Sequence, residues 1–177
     1  MTRTLLLLDV DGVVSPMRSS HVTPAGDEVE HWIVIPPRPP LRVRIRPAVI
    51  EAVDRWADSA ADVQWLSSWG WRTKWLDQVG LPRLPGFYDP DPAEVFFWGR
   101  SQRPWKRPAL EDYLAAQTET VRLAWVDDEL FYYRGGETRK DMLAAHPGIT
   151  DLLLVEPDGL VGLSDREIRK VDKFLSR

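Results

Sequence analysis

Two short acidic motifs are the parts of this chain best suited to chemistry. Asp9 and Asp11 lie in Leu8-Asp9-Val10-Asp11-Gly12, and Asp127-Asp128-Glu129 follows a second apolar block, Val121 to Val126. Carboxylates this close repel, so each pair needs a cation between its members or a proton held at a raised pKa. If the two motifs were neighbours, three or four carboxylates would share one small volume, and such a set of hard oxygen ligands suits Mg²⁺. The alternative for Asp127 and Asp128 is that they cap the next helix. Ser67 closes the apolar stretch Val63-Gln64-Trp65-Leu66. Its hydroxyl can exchange hydrogen bonds with a phosphoryl oxygen without adding charge; a loop or N-cap role is the ordinary alternative. Lys106 precedes a helical pattern, at the end whose dipole disfavours cations. Neutralising a phosphate and an aspartate cluster would give this lysine a reason that local structure does not.

The elements that must hold these residues can be read from apolar periodicity. Leu5 to Leu8 is too short to cross a membrane and stops abruptly at Asp9, as a buried parallel strand does. Side chains on an extended chain alternate, so Asp9 and Asp11 project to one side beyond the carboxyl end of that strand, where open α/β sheets bind ligands. Gly12 then allows a sharp turn or a close backbone approach. Val63–Leu66, Val121–Val126 and Ile149–Val155 read as further core strands, and Val95–Trp98 as a short one. Helices are expected from Pro47 with an apolar stripe of Val49, Ile50, Val53, Trp56 and Ala57, and over Trp71–Val79 with Trp71, Trp75, Leu76 and Val79 on one side. Others should follow Lys106, with Leu110, Tyr113, Leu114 and Gln117 in register, span Thr138–Ala145, and start at a Ser164-x-x-Glu167 capping box.

Between Val14 and the first helix, approximately residues 20–46 look inserted, with strands Val29–Ile35 and Leu41–Arg46 joined by a proline-rich connection. This is expected to be a β-hairpin flap. Leu41, Val43 and Ile45 alternate with Arg42, Arg44 and Arg46. The arginine face is either a cationic wall for phosphate or a nucleic-acid backbone, or a charged edge strand guarded against aggregation. Of the nine tryptophans, Trp32, Trp56, Trp65 and Trp125 sit in core-like patterns, while Trp69, Trp71, Trp98 and Trp105 flank the candidate site.

At 177 residues the chain suits a single domain, 1–177, carrying that one insertion. Lys+Arg 23 against Asp+Glu 27 gives a formal charge of -4, so no global charge demands a nucleic acid or a membrane surface. Without cysteine there is no thiolate nucleophile, no disulfide and no cysteine-ligated zinc, and His21, His31 and His146 lack ligand spacing. Neither a signal peptide nor a spanning segment is read, so a soluble, cytoplasmic protein is expected, with no membrane partner.

The strand running into Asp9-x-Asp11-Gly12 resembles the opening motif of the haloacid dehalogenase (HAD) superfamily of phosphohydrolases. Ser67, Lys106 and Asp127-Asp128 follow in the order of that family's later motifs. The resemblance implies an α/β fold, a HAD-like Rossmannoid three-layer sandwich with a mostly parallel sheet, a small β-hairpin flap and no large cap domain. It further implies that Asp9 is the nucleophile, Asp11 the acid/base, and Ser67 and Lys106 the residues stabilising charge on the phosphoryl group. Mg²⁺ would lie among Asp9, Asp11, Asp127 and Asp128, with Asp11 offering its backbone carbonyl, Asp128 as the direct ligand of the second pair, and Asp127 orienting Lys106 or a metal-bound water. Asp11 argues against the dehalogenase branch, which lacks this second acid. Trp65-Leu66-Ser67-Ser68-Trp69-Gly70, Trp105-Lys106-x-Pro108 and Trp125-Val126-Asp127-Asp128-Glu129 look most like the HAD-like domains associated with Swiss Army Knife RNA repair proteins.

The expected activity is that of a Mg²⁺-dependent phosphatase working through an aspartyl-phosphate. A site without a large cap suits a bulky phosphorylated substrate, such as a nucleic-acid terminus or a phosphoprotein, unless a second copy of the chain supplies a lid. An inactive HAD-like nucleic-acid-binding or interaction module and a phosphotransferase are the alternatives.

Overall fold

The computed structural model of the protein describes residues 2–17, 26–87 and 105–177. The expected strand Val95–Trp98, Trp98 as a flanking indole, His21 and the first part of the 20–46 insertion lie outside these residues.

Strand β1 (Arg3–Leu8) sits inside a four-stranded parallel sheet between β4 (Asp62–Trp65) and β5 (Val121–Val126), with β6 (Ile149–Val155) beyond β5. Its four leucines, Leu5 to Leu8, have no exposed surface. Leu6 and Leu8 pack into one hydrophobic cluster while Leu5 and Leu7 pack into another on the opposite face. The period-two alternation of an extended chain thus feeds two cores at once, which is why this strand is apolar without interruption.

The Leu6/Leu8 face is covered by α1 (Pro47–Ala57) and the C-terminal helix, and the Leu5/Leu7 face by the Lys106–Ala116 helix, α2, together with short helices α3 (Leu130–Tyr133) and α4 (Arg139–Ala145). The three-layer arrangement and parallel sheet expected from the sequence are therefore present. Pro47 stands in the first turn of α1, with Val49, Ala52, Val53 and Trp56 buried along one stripe. The C-terminal helix α5 (Asp165–Leu175) begins at the Ser164 capping box, in which Ser164 N–H donates to Glu167 Oε2 at 2.8 Å. Thr138 and Asp141 form a second capping box at α4.

The segment Gly70–Val79 departs from the expected α-helix with Trp71, Trp75, Leu76 and Val79 on its inner side. It is a 3₁₀ helix whose buried residues are Thr73, Leu76 and Val79, spaced every third position, and Trp71 points outward at 40 % exposure. A tighter turn of three residues selects this stripe, and Gly80 ends it in the left-handed region at φ 85°.

Strands β2 (Val29–Ile33) and β3 (Leu41–Ile45) form the expected antiparallel hairpin. Ile33, Ile35, Val43 and Ile45 belong to the Leu6/Leu8 core, and Gln78 clasps Val34 by donating to its carbonyl at 3.1 Å and accepting from its N–H at 3.0 Å. The hairpin is thus built into the core rather than laid over it. Its arginine face is ion-paired: Arg42 and Arg44 share Glu30 at 3.2 and 3.7 Å, and Arg46 reaches Asp27 and Asp165 at 2.9 and 2.8 Å. Those partners favour the charged-strand reading over a wall available to phosphate. Trp56, Trp65 and Trp125 are buried as expected, but Trp32 is 58 % exposed, because it faces Arg42 across the hairpin on the side away from Ile33.

Candidate active site

The carboxyl ends of β1, β4 and β5 lie side by side, with Leu8 in register with Trp65 on one flank and Val126 on the other. Asp9, Ser67 and Asp127 are therefore delivered to one rim of the sheet. The backbone continues the ladder past the strands, since Asp9 N–H donates to Val126 carbonyl at 3.0 Å and Asp127 N–H to Val155 carbonyl at 3.1 Å.

Lys106, first residue of α2, enters this rim from above. Its Nζ donates to Asp9 Oδ2 at 2.5 Å and to Asp127 Oδ2 at 2.6 Å, and only 2 % of the side chain is exposed. A cation unfavourable at a helix start is retained here because two carboxylates face it. Burial by itself would lower the Lys106 pKa, but Asp9 and Asp127 outweigh it and hold the ammonium charged well above the ordinary lysine range. The Tyr133 ring lies 4.9 Å from Nζ and Trp105 closes another side at 5.9 Å.

One ammonium serves two carboxylates, so negative charge remains in surplus. Asp127 is fully buried, and burial pushes its carboxyl upward despite Lys106. Its second oxygen, Oδ1, accepts from Glu129 N–H at 2.9 Å in a local turn, but the helix that follows starts at Leu130 behind Glu129 with no side-chain cap, so Asp127 does not cap it as the alternative reading had it. Asp128 is pushed up to about 6 by burial and then by the charges of Asp9 and Glu129. Asp9, Asp127 and Asp128 each offer an oxygen within 4.8 Å of the others. A compact, oxygen-only, net-negative donor set of this kind fits a hard divalent cation.

Asp128 fits only because two glycines leave it room. A methyl group added to Gly12 would lie 2.1 Å from Asp128 Oδ2, and one added to Gly159 would lie 2.4 Å from the same atom. Gly12 is also held at φ 72°, in the left-handed region. The sequence offered Gly159 as a turn residue in Pro157-Asp158-Gly159; nothing in its spacing marked it as a wall of the site.

Asp11 does not join the three-carboxylate group. Its Oδ2 accepts from Trp69 Nε1 at 3.0 Å, and burial, followed by repulsion from Asp9, raises its pKa. A raised carboxyl next to a carboxylate is the arrangement expected of an acid and a nucleophile. The carboxylates of Asp9, Asp127 and Asp128 thus form one group and that of Asp11 lies outside it, which agrees with the expectation that Asp11 would meet a metal through its backbone carbonyl. Ser67 is buried at the end of β4, and its Oγ accepts from Trp69 N–H at 3.3 Å. Of the flanking indoles, Trp69 contacts a site acid directly, Trp105 lies beside Lys106, and Trp71 points outward. Arg72 was not foreseen: its Nε and Nη2 donate to the carbonyls of Trp69 and Ser68 at 3.1 and 2.9 Å, which carries its charge to the edge of the site beside Asp11.

The family model described as the HAD domain in Swiss Army Knife RNA repair proteins matches residues 5–168. The chain belongs to this family. Its HAD domain thus extends from the first strand of the sheet into the last helix and takes in all six residues singled out above, Asp9, Asp11, Ser67, Lys106, Asp127 and Asp128. No curated protein and no solved structure matches the chain significantly. Family membership makes it a phosphohydrolase-like domain with a carboxylate cluster able to hold a metal ion. No helix among the described residues is long and apolar enough to cross a membrane.

Proposed function

We propose that this HAD domain is a Mg²⁺-dependent phosphomonoesterase acting on a nucleic-acid end. The observation that carries the reading is the Lys106 ammonium, bonded at once to Asp9 and Asp127 inside a three-carboxylate cluster. This geometry sets a buried ammonium beside the carboxylate that would attack, where it can answer charge on a phosphoryl group, while a second acid, Asp11, stands apart with its pKa raised.

In this reading an Asp9 oxygen attacks phosphorus in line, forming an aspartyl-phosphate as the bond to the leaving oxygen breaks. Asp11 gives its proton to that leaving oxygen. Asp11, now a carboxylate, next takes a proton from water as the water attacks phosphorus, and the bond to Asp9 breaks to release inorganic phosphate. Lys106 and the Ser67 hydroxyl stabilise negative charge on the transferring group. Mg²⁺ held by Asp9, Asp128 and the backbone carbonyl of Asp11 would supply neutralisation of charge between the carboxylates and the phosphoryl oxygens.

The test is phosphate release from 3′- and 5′-phosphorylated oligonucleotides and small phosphate esters, with and without Mg²⁺, by wild type and Asp9→Asn. Wild type should release phosphate only with the metal, and the variant should lose at least about a thousandfold in kcat, as removal of a nucleophile does. Equal rates in the two proteins would overturn the assignment of Asp9. Phosphate appearing on an acceptor other than water would convert the reading to a phosphotransferase.

A further inference from the structure

The Lys106 ammonium is a compact charge at the end of a flexible four-carbon stem, and such a group keeps one orientation only where its surroundings leave no other. Its hydrogen bonds among the described residues go to two acceptors, Asp9 Oδ2 at 2.5 Å and Asp127 Oδ2 at 2.6 Å. An ammonium carries three N–H donors, so two carboxylates do not by themselves fix it. Aromatic faces supply the rest of its surroundings. The Tyr133 ring centroid is 4.9 Å from Nζ, inside the range over which a ring attracts a cation, and Trp105 lies at 5.9 Å, close to the outer limit. With 2 % of the lysine side chain exposed, water does little to weaken the attraction.

Tyr133 is itself held in place. It is buried, and its N–H donates to the Glu129 carbonyl at 3.1 Å, closing the turn of α3 that follows Asp127-Asp128-Glu129. The Trp125 ring flanks it with centroids 6.3 Å apart, and Tyr132 meets it edge-on at 5.5 Å. The residues next in the chain repeat the connection. Arg107, beside Lys106, donates from Nη1 to the carbonyl of Arg134, beside Tyr133, at 3.0 Å, and from Nη2 to Glu137 Oε1 at 3.2 Å. The first turn of α2 and the end of α3 are thus tied twice, once by an ammonium on a ring and once by a guanidinium bracket.

We propose that Tyr133 is the positioning residue for Lys106: its ring face, by cation–π attraction, holds the ammonium in the orientation that meets the transferring phosphoryl group. The inference rests on the phosphomonoesterase reading and adds to it a residue that supplies neither a proton nor a ligand and acts through Lys106 alone. When the ring is lost the charge stays, because Asp9 and Asp127 keep it, so general attraction for a phosphorylated substrate persists. Orientation is what goes, and orientation counts most in the transition state. The loss should therefore fall on kcat rather than on KM.

The experiment varies the charge on the ring face at nearly constant volume. In the full chain, Tyr133→Phe is compared with proteins carrying phenylalanine with one, two or three ring fluorines at position 133, and thermal unfolding checks that each is folded. Fluorine withdraws electron density from the face that a cation meets, whereas a ring that only fills space gives a flat series. Two readouts are taken: the NMR order parameter of the Lys106 ammonium, which reports how tightly the group is held without any turnover, and kcat with KM for phosphate release. Tyr133→Phe should keep most of the wild-type rate. Across the fluorinated series the order parameter should fall step by step and kcat should drop about tenfold, while KM changes by no more than about twofold. A flat order parameter across folded variants would overturn the proposal, as would an order parameter that falls while kcat stays level. Absence of phosphate release by wild type would sink the catalytic reading alone, and the order parameter would still decide whether the ring holds the ammonium.

Discussion

Lys106 Nζ lies 2.6 Å from Asp127 Oδ2, and the two side chains are 2 % and 0 % exposed. A pair so completely removed from water contributes little when intact and costs much when halved. Lys106→Met should therefore destabilise the metal-free protein by about 3–5 kcal/mol near neutral pH. Asp127 sets the pH dependence. Burial already raises its carboxyl, and removing the ammonium that opposes burial raises it further. A carboxyl raised above its unfolded value contributes stability fully present below the ordinary carboxylate range, and that contribution disappears as pH rises through the folded value. The deficit of Lys106→Met should accordingly be smaller at pH 5 than at pH 8, which urea unfolding at the two values will measure.

Trp69 tunes the second acid. Its indole N–H donates to Asp11 Oδ2 and lowers a carboxyl that burial and Asp9 otherwise raise. Trp69→Phe keeps the ring and deletes the donor, so the Asp11 pKa should rise. If Asp11 must carry a proton when the ester bond breaks, the basic limb of the pH profile of kcat/KM should move to higher pH. A profile that keeps its position while the rate falls would show that Trp69 serves packing alone.

Gly159 can be tested almost in isolation, because its backbone does not need the left-handed region. The obstacle to a methyl group there is the end of the Asp128 side chain, which can swing away at little cost to the fold. Gly159→Ala should therefore leave thermal stability nearly unchanged while weakening Mg²⁺ binding about 10–100-fold, as displacement of groups orienting metal ligands does. Titration calorimetry will separate the two effects.

Metal binding should also release protons. Asp128 is held at about 6 by burial and by Asp9, so in the metal-free protein it is partly protonated in mildly acidic solution. A cation must displace that proton, and Mg²⁺ affinity should fall as pH drops from 8 to 5. Calorimetry in buffers of different ionisation enthalpy will count the protons. Affinity independent of pH across this window would remove Asp128 from the ligand set.

Much of this arrangement could be read from one dimension because few alternatives satisfy it. Four consecutive leucines that end at an acid fit a strand buried on both faces, and Leu5/Leu7 and Leu6/Leu8 indeed divide between two cores. Lys106 was legible because its local setting was unfavourable, and Ser164-x-x-Glu167 because the capping box is complete in the sequence. Other features depend on geometry that composition does not encode. The period of Thr73, Leu76 and Val79 is visible in the sequence, yet the neighbouring tryptophans suggested a wider helical turn. Trp32 alternates correctly for a strand, but which face of the hairpin meets the core is decided by Ile33 and Ile45 packing against it. Gly159 and Arg72 act through atoms contributed by distant residues, Asp128 in one case and backbone carbonyls in the other.

Because Ile33, Ile35, Val43 and Ile45 are sealed into the same core as α1, the hairpin cannot swing as a hinged cover. Its loop behaves like a fixed jaw of a vice, set in place by the same packing that holds the sheet. Cutting the chain between β2 and β3 should for that reason cost the protein its melting cooperativity, rather than merely leaving a gate ajar.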